Sequence, residues 1–239
     1  MPLEWKTARI TPIPKPGKDK NMTSGHRPIS ILPAASKIIE KHVKKILLDH
    51  LMTNAPISPR QWGFMESRST ISALIKVIDD WSCALDQGKE VCVVFFDVSK
   101  AFDKVPHLPL IQQLEEVNLN PYLIRWLLDY LSDRFQVVAI EGGLSNKLPV
   151  ISGVPQGSIL GPLLFIMYIN NVVTTISPGS EINMFADDIA LYRIITSPND
   201  YAILQEDISA ISSFLDSKYL NFNEGKCRTM HISRKRSTS

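Results

Sequence analysis

The sequence predicts an α+β fold, an antiparallel sheet backed by helices, on three observations. The run Val91-Cys92-Val93-Val94-Phe95-Phe96 is continuously apolar, as in a strand buried on both faces, and it ends on Asp97. Two more apolar runs, Ile182 to Phe185 and Ile189 to Tyr192, flank Asp187-Asp188 in the pattern of strand, tight turn and strand with the acids at the tip. Around these strands lie segments with apolar residues at helical spacing, in the order strand, helix, strands, helix, hairpin, helix, which is an α+β plan.

Taken in order, residues 5–16 read as a short edge strand, Ala8 to Ile13, running into a stiff basic loop, because alternating prolines at 12, 14 and 16 forbid a helix and a central strand. Gly25 to Pro33 is again extended, since prolines bias their predecessors away from helix. The two segments suggest a hairpin with Lys15, Lys18, Lys20 and Arg27 around its tip. Ser36 to Met52 reads as a helix with Ser36 as N-cap and a core stripe of Ile38, Ile39, Val43, Ile46, Leu47 and Leu51. A second helix, about 70–85, places Leu74, Ile75, Ile78, Trp81 and Leu85 on its core side. After the Asp97 strand, a helix opens at Asn120-Pro121 with a stripe of Leu123, Trp126, Leu127 and Tyr130. Phe135 to Glu141 alternates like a strand, and Gly142-Gly143 turns it back through residues 147–151. A Gly/Pro loop over 152–158 precedes an apolar helix over 163–173. After the Asp187-Asp188 hairpin come an amphipathic helix over 199–219, a last strand pair over 221–233 and a basic, serine-rich tail read as frayed.

At 239 residues the chain can bury a proper core, as one large domain or two small lobes. A hydrophobic content of 44% with 21% charged residues is that of a soluble globular protein. The longest apolar runs are too short to span a bilayer, and the first residues lack a signal-peptide core. The cysteines, Cys83, Cys92 and Cys227, are odd in number and form no CxxC, which points to reduced thiols in an intracellular protein, nuclear or cytoplasmic, without structural zinc. Charge is uneven. Residues 1–50 carry +6, residues 51–200 carry −6, and the remainder +2. A basic N-terminal part beside an acidic middle suits a polyanion held on one side and metal ions on the other.

The acids carry the chemistry. Adjacent carboxylates repel and resist burial, so a fold tolerates them at a wet turn or around a metal. Alone, Asp187-Asp188 reads as a solvated turn. Asp97 changes that reading, because an acid at the end of a buried strand is costly unless compensated. Two such strands side by side would bring Asp97 and Asp187 together, and clustered carboxylates bind hard cations such as Mg²⁺. Two ions roughly 3.5–4 Å apart clamp an in-line phosphoryl displacement.

Six motifs then occur in order: Ile13-Pro14-Lys15-Pro16-Gly17; Arg27-Pro28-Ile29-Ser30; Gln61-Trp62-Gly63-Phe64; Phe96-Asp97 through Phe102-Asp103; Gly153-Val154-Pro155-Gln156-Gly157-Ser158 with Leu160-Gly161-Pro162; and Phe185-Ala186-Asp187-Asp188. From residue 5 to about 232 this series resembles the reverse transcriptase domain of non-LTR (LINE-type) retrotransposons. The resemblance implies a right-hand RNA-directed DNA polymerase, with fingers over 1–90, N-terminally incomplete, and palm over 91–239. The thumb and endonuclease regions of the parent polyprotein are expected outside the chain. The implied partners are an RNA template, a DNA primer and dNTPs, with no membrane. The implied cofactor is Mg²⁺, as two ions, with Mn²⁺ as substitute.

By the same resemblance, Asp97 and Asp187 hold the metals, the carbonyl of Val98 adds an oxygen, and Asp188 is the second hairpin carboxylate. Lys15 and Arg27 grip the triphosphate. Phe102 sits under the incoming sugar and excludes a 2′-hydroxyl. Gln156-Gly157 passes close to the incoming nucleotide. Gln61, Gly63 and Phe64 form a template-side patch. Lys226 stands near the leaving pyrophosphate as general acid. Without the resemblance, Phe102 reads as core, Trp62 and Phe64 as interlobe core, and Lys226 as an exposed salt-bridging lysine. Two rival readings stand beside the polymerase: a non-catalytic RNA/DNA-binding remnant of a decayed element, and an RNA-dependent RNA polymerase, against which Phe102 and Ala186 speak.

Overall fold

The structure, a computed structural model, describes residues 1–140 and 142–234. The strands are β1 (Thr7–Pro14), β2 (His26–Ile31), β3 (Glu90–Asp97), β4 (Arg134–Ile140), β5 (Gly143–Leu144), β6 (Leu148–Val150), β7 (Ser180–Phe185), β8 (Asp188–Ile195) and β9 (Arg228–Ile232). The helices are α1 (Ala34–Asn54), α2 (Thr70–Asp86), α3 (Ala101–Lys104), α4 (His107–Glu116), α5 (Pro121–Leu131), α6 (Gly161–Ile169) and α7 (Asn199–Ser217). The α+β expectation holds, and α3 and α4 add to the expected set. Glu141 and residues 235–239, where a strand end and the frayed tail were expected, lie outside the described residues. Among the described residues no helix is long and apolar enough to cross a membrane.

The chain forms two compact units, each built from two stretches. The first is Met1–Pro56 with Phe102–Tyr168; the second is Ile57–Ala101 with the chain from Ile169 onward.

In the first unit the strands run β2-β1-β4-β5, with β6 also on β4. β1 is therefore interior, not the expected edge: β2 lies antiparallel on one side and β4 parallel on the other. The prolines are accommodated locally. β4 pairs only with Thr7 to Ile10, before the prolines begin, and Pro12 faces Pro28, where neither strand has an N–H to give. Helix α1 also departs from expectation. Its N-cap is Pro33, and Ser36 is inside the helix and buried. The buried face is Ser36, Glu40, Val43, Leu47 and Leu51, while Ile38 is 73% exposed. Two polar residues head the true stripe, so apolar periodicity alone misplaced it. Helix α5 starts as expected, with Asn120 accepting from the Tyr122 amide and Pro121 in the first turn. In α6 every side chain from Leu163 to Ile169 is buried, as suits a segment apolar all round.

In the second unit the sheet runs β7-β8-β3-β9, with every pairing antiparallel. β3 is central, which accounts for its continuous apolar run; only Phe95 emerges appreciably. Helix α2 packs Val77 and Ala84 against Val91, Val93 and Tyr192. Its buried side is Ala73, Val77 and Ala84, so the expected stripe is rotated: Leu74, Ile75 and Ile78 are exposed and Trp81 is partly buried. The small alanines let the helix approach the sheet where the bulkier residues would not. Ser69 and Ser72 form a reciprocal capping box at its start.

Candidate active site

The register of the second unit's sheet sets the acids. β3 and β8 pair from Glu90 opposite Ile195 to Asp97 opposite Asp188. Sequence reasoning expected Asp97 beside Asp187; the direct cross-strand partner is Asp188, and Asp187 stands one residue earlier, in the turn. Directly opposed residues have Cβ atoms roughly 4.5–5.5 Å apart, so two carboxylates share one spot on one face. By strand alternation this is the face on which Val91, Val93 and Tyr192 meet α2.

The turn between β7 and β8 is only two residues long, since Phe185 pairs with Asp188. Ala186 takes φ +58°, a left-handed conformation that alanine seldom adopts, and is buried. Burial pushes the Asp187 carboxyl above its ordinary value, and the charges of Asp188 and Asp97 add to that. Burial likewise raises Asp188, again with Asp97 as the repelling neighbour.

Lys226 answers this negative charge. Its ammonium donates to both oxygens of Asp97, at 2.8 and 2.9 Å, from a turn just before β9. Past the end of β3, the Asp97 carbonyl accepts from the Asn223 amide and the Ser99 amide donates to the Asn221 carbonyl. This bridge pairs Val98 with Phe222 and leaves the Val98 carbonyl uncommitted to it. The donor set of Asp97, Asp187, Asp188 and that carbonyl consists of hard oxygens, the class Mg²⁺ takes, and a divalent cation would relieve the repulsion between the acids. The residues thus fit the ion in chemistry. As placed, no three His, Cys, Asp or Glu side chains among the described residues close into a ready metal cage, and Lys226 supplies the positive charge at Asp97.

Gln61 and Gly63, expected to face a template, lie buried in the same unit. Gln61 is 1% exposed, and its carboxamide oxygen accepts from the amides of Gly63 and Ala186. Its carboxamide nitrogen is enclosed without a hydrogen-bond partner. Phe64, 53% exposed at φ +58°, is the member of that patch on the surface.

The first unit holds the residues expected to meet the nucleotide. Arg27 is exposed on β2 opposite Ile13, and Lys15 follows β1, its ammonium donating to the Ser24 carbonyl at 2.9 Å. The loop carrying Gln156-Gly157 is tied to β2, because the Ser30 amide donates to the Gln156 carbonyl at 2.8 Å. Gly157 has φ +105°, and a Cβ there would lie 2.5 Å from the Ser30 carbonyl oxygen, so only glycine fits. The loop is equally fastened to the segment after α3's start. Val154 N donates to Phe102 O and Gly153 N to Val105 O, both at 2.7 Å, and the Gln156 side chain donates through Nε2 to Asp103 Oδ1 at 2.9 Å. His107 donates to the Gly153 carbonyl, and its burial lowers its pKa. Phe102 is half-buried and stacks on Phe165 at 4.6 Å between centroids.

Sequence reasoning missed what holds this loop from beneath. Glu40, fully buried on α1, accepts from the Ile159 and Leu160 amides through one oxygen and from Ser36 through the other. Arg134, also buried, lies over the Tyr130 ring and donates to the Tyr130 carbonyl. Burial, and next the Glu40 charge, drive the Tyr130 phenol upward; burial lowers Arg134 against the pull of Tyr130 and Glu40. The signal available in the sequence was a Ser/Glu pair four apart, continuing as Val43, Leu47 and Leu51.

Residues 13–238 match the family described as reverse transcriptase (RNA-dependent DNA polymerase). The chain is 34% identical over 235 residues to a probable RNA-directed DNA polymerase from transposon BS of Drosophila melanogaster, covering 95% of this chain and 26% of that protein. It is 33% identical over 198 residues to the corresponding protein of transposon X-element from the same organism, covering 81% and 22%. The chain thus spans about a quarter of the length of these relatives. Among solved structures it is similar to telomerase from Candida tropicalis in complex with a fragment of telomeric RNA, with TM-score 0.72 and 13% identity over 99% of this chain and 42% of that one, which shows a shared fold.

Proposed function

The chain belongs to the reverse transcriptase family, and on that premise we propose that it is the RNA-directed DNA polymerase domain of a non-LTR retrotransposon, adding dNTPs to a primer 3′-hydroxyl on an RNA template. The observation that carries this reading is the register that sets Asp97 opposite Asp188 with Asp187 in the adjoining turn. A polar cluster of like charge at the end of a central strand has no structural benefit and suits metal-assisted phosphoryl transfer.

Asp97, Asp187, Asp188 and the Val98 carbonyl would hold two Mg²⁺ ions, or Mn²⁺ in their place. When bound, the ions supply acidification of the primer hydroxyl and stabilisation of the leaving pyrophosphate. Lys226, which stands beside Asp97, would give a proton to that pyrophosphate. Arg27 and Lys15 grip the triphosphate by fork and point charge. The Gln156-Gly157 backbone approaches base and sugar closely, and Phe102, stiffened by its stack on Phe165, excludes a 2′-hydroxyl. Phe64 offers a stacking surface to the template. The right-hand plan goes with this reading, fingers over 1–90 and palm over 91–239.

The test is primer extension on a poly(rA)/oligo(dT) hybrid with Mg²⁺ and dTTP, parent beside Asp187→Asn. Extension by the parent and none by the variant is the expected result. No extension by the parent with either Mg²⁺ or Mn²⁺ rejects the reading for this chain.

A further inference from the structure

We propose that Gln61 is a positioning residue for Asp187 and Asp188, its carboxamide oxygen fixing the turn between β7 and β8. The purpose of that turn rests on the polymerase reading above; the brace itself rests on geometry alone.

The segment around Gln61 runs along the outer edge of β7 as one parallel rung. Met184 N donates to Arg60 O at 2.9 Å, and Trp62 N to Met184 O at 2.8 Å. Arg60 pairs with Glu181 of β7, and the Arg68 guanidinium donates to the carbonyls of Ser58 and Gln61. Thus anchored, Gln61 sends its side chain round the strand end into the bend. Its oxygen accepts the Gly63 and Ala186 amides, each at 2.9 Å, which fills both lone pairs. Ala186 is the residue in the left-handed conformation, so the bond falls on the one peptide of the hairpin that most needs holding. Gly63 closes the contact: a Cβ there would stand 2.6 Å from Ala186 N, so loop and turn meet backbone to backbone.

The acids depend on this turn unequally. Asp188 is pinned by its pairing with Asp97 and Phe185, whereas Asp187 sits in the two-residue loop itself, next to the braced peptide. Without the brace, Ala186 can relax toward the common backbone region and carry Asp187 with it. Placement errors of about 1 Å cost a phosphoryl-transfer site heavily.

The full chain, Gln61→Met and Gln61→Glu separate this from simple core packing. Met keeps the length without an acceptor; Glu keeps an acceptor oxygen. In the parent, the Ala186 amide should be protected from hydrogen exchange. Gln61→Met should lose that protection, bind Mn²⁺ about tenfold more weakly by electron paramagnetic resonance, and lower kcat for dTTP incorporation about 30-fold with KM little changed. Gln61→Glu should restore the protection. An unprotected Ala186 amide in the parent overturns the proposal, as does Gln61→Met with unchanged protection and Mn²⁺ binding. Should Gln61→Met not fold, the parent's exchange and Gln61→Glu still decide. A parent that protects Ala186 yet neither binds Mn²⁺ nor extends primers would sink the polymerase reading and leave the brace standing.

Discussion

The two compact units hold their polar residues in place by opposite means. In the second, Asp97 and Asp188 ride on strands, and their positions follow from a ladder running eight residues from Glu90 to Asp97 along β3. In the first, Gln156 and Gly157, expected at the nucleotide, ride on a loop, secured by backbone bonds to Ser30, Phe102 and Val105 and by one buried carboxylate, Glu40. A ladder shares the work of positioning among many equivalent bonds, so its functional side chains contribute little to holding the fold. A loop concentrates that work, so its supporting groups become indispensable to stability.

Replacing one carboxylate in each unit puts this contrast to its largest test. Asp97→Asn should reduce primer extension by about a thousandfold, roughly 4 kcal/mol in the barrier. Its stability should stay within about 1 kcal/mol of the parent, because its partner Lys226 is 59% exposed and exposed ion pairs count for little. Glu40→Leu should do the reverse to the fold, costing about 3 kcal/mol in urea unfolding, since it orphans two amides and leaves Arg134 without a nearby negative charge. The double variant Glu40→Leu with Arg134→Met should regain much of that loss. Equal destabilisation by Asp97→Asn and Glu40→Leu would erase the distinction.

The second unit contains its own exception. Asp200 accepts from the amides of Thr196 and Ser197, from both hydroxyls and from Arg193. Those amides, with Arg193 and the Thr196 hydroxyl, hold its carboxyl far below the usual carboxylate range. A depressed folded pKa contributes stability that is full above the unfolded value and lost as pH falls toward the folded one. Asp200→Asn should therefore cost about 2 kcal/mol at pH 7, and the gap to the parent should narrow only below about pH 4, read by thermal unfolding across a pH series. Asp187 and Asp188, raised by burial, contribute with the opposite sign: their share is present at acid pH and lost as pH rises through their folded values. The anchoring acid Asp200 and the acids proposed to bind metal are thus separable by the direction of their pH dependence.

Most of the fold and the acids were legible in the sequence, because both rest on local pattern. The β3 run ended in Asp97, and the β7–β8 runs bracketed Asp187-Asp188, as periodicity and turn length require. What stayed hidden depended on pairing between distant segments. Only the register could show that Asp97 faces Asp188, and only the place of β4 beside β1 could show that a proline-bearing strand is interior. The stripes of α1 and α2 were misplaced for a related reason. Ser36, Glu40, Ala73 and Ala84 are weak hydrophobic signals, yet close packing and buried hydrogen bonding chose them over isoleucines. The burial of Gln61 under the hairpin turn is a long-range fact with no local signature.

Arg27 gives the smallest and most selective effect. It is exposed on β2, and no hydrogen bond or ion pair within the described residues holds its guanidinium, so the fold does not depend on it. The same β2 strand carries Ser30, whose amide fastens the Gln156 loop. Arg27→Ala should leave the unfolding midpoint within about 1 °C, because it removes a solvated side chain and no buried contact. It should raise KM for dTTP about tenfold with kcat changed less, as expected when a charged grip on the triphosphate is lost before the chemical step. Arg27→Lys should recover only part of the KM, since an ammonium cannot reproduce the bidentate fork. A fall in the unfolding midpoint without a change in KM would instead make Arg27 one of the loop's supports. The first unit would then have no side chain devoted to substrate alone at this position, and the division between holding the fold and holding the nucleotide would have to be drawn at Lys15 and Gln156.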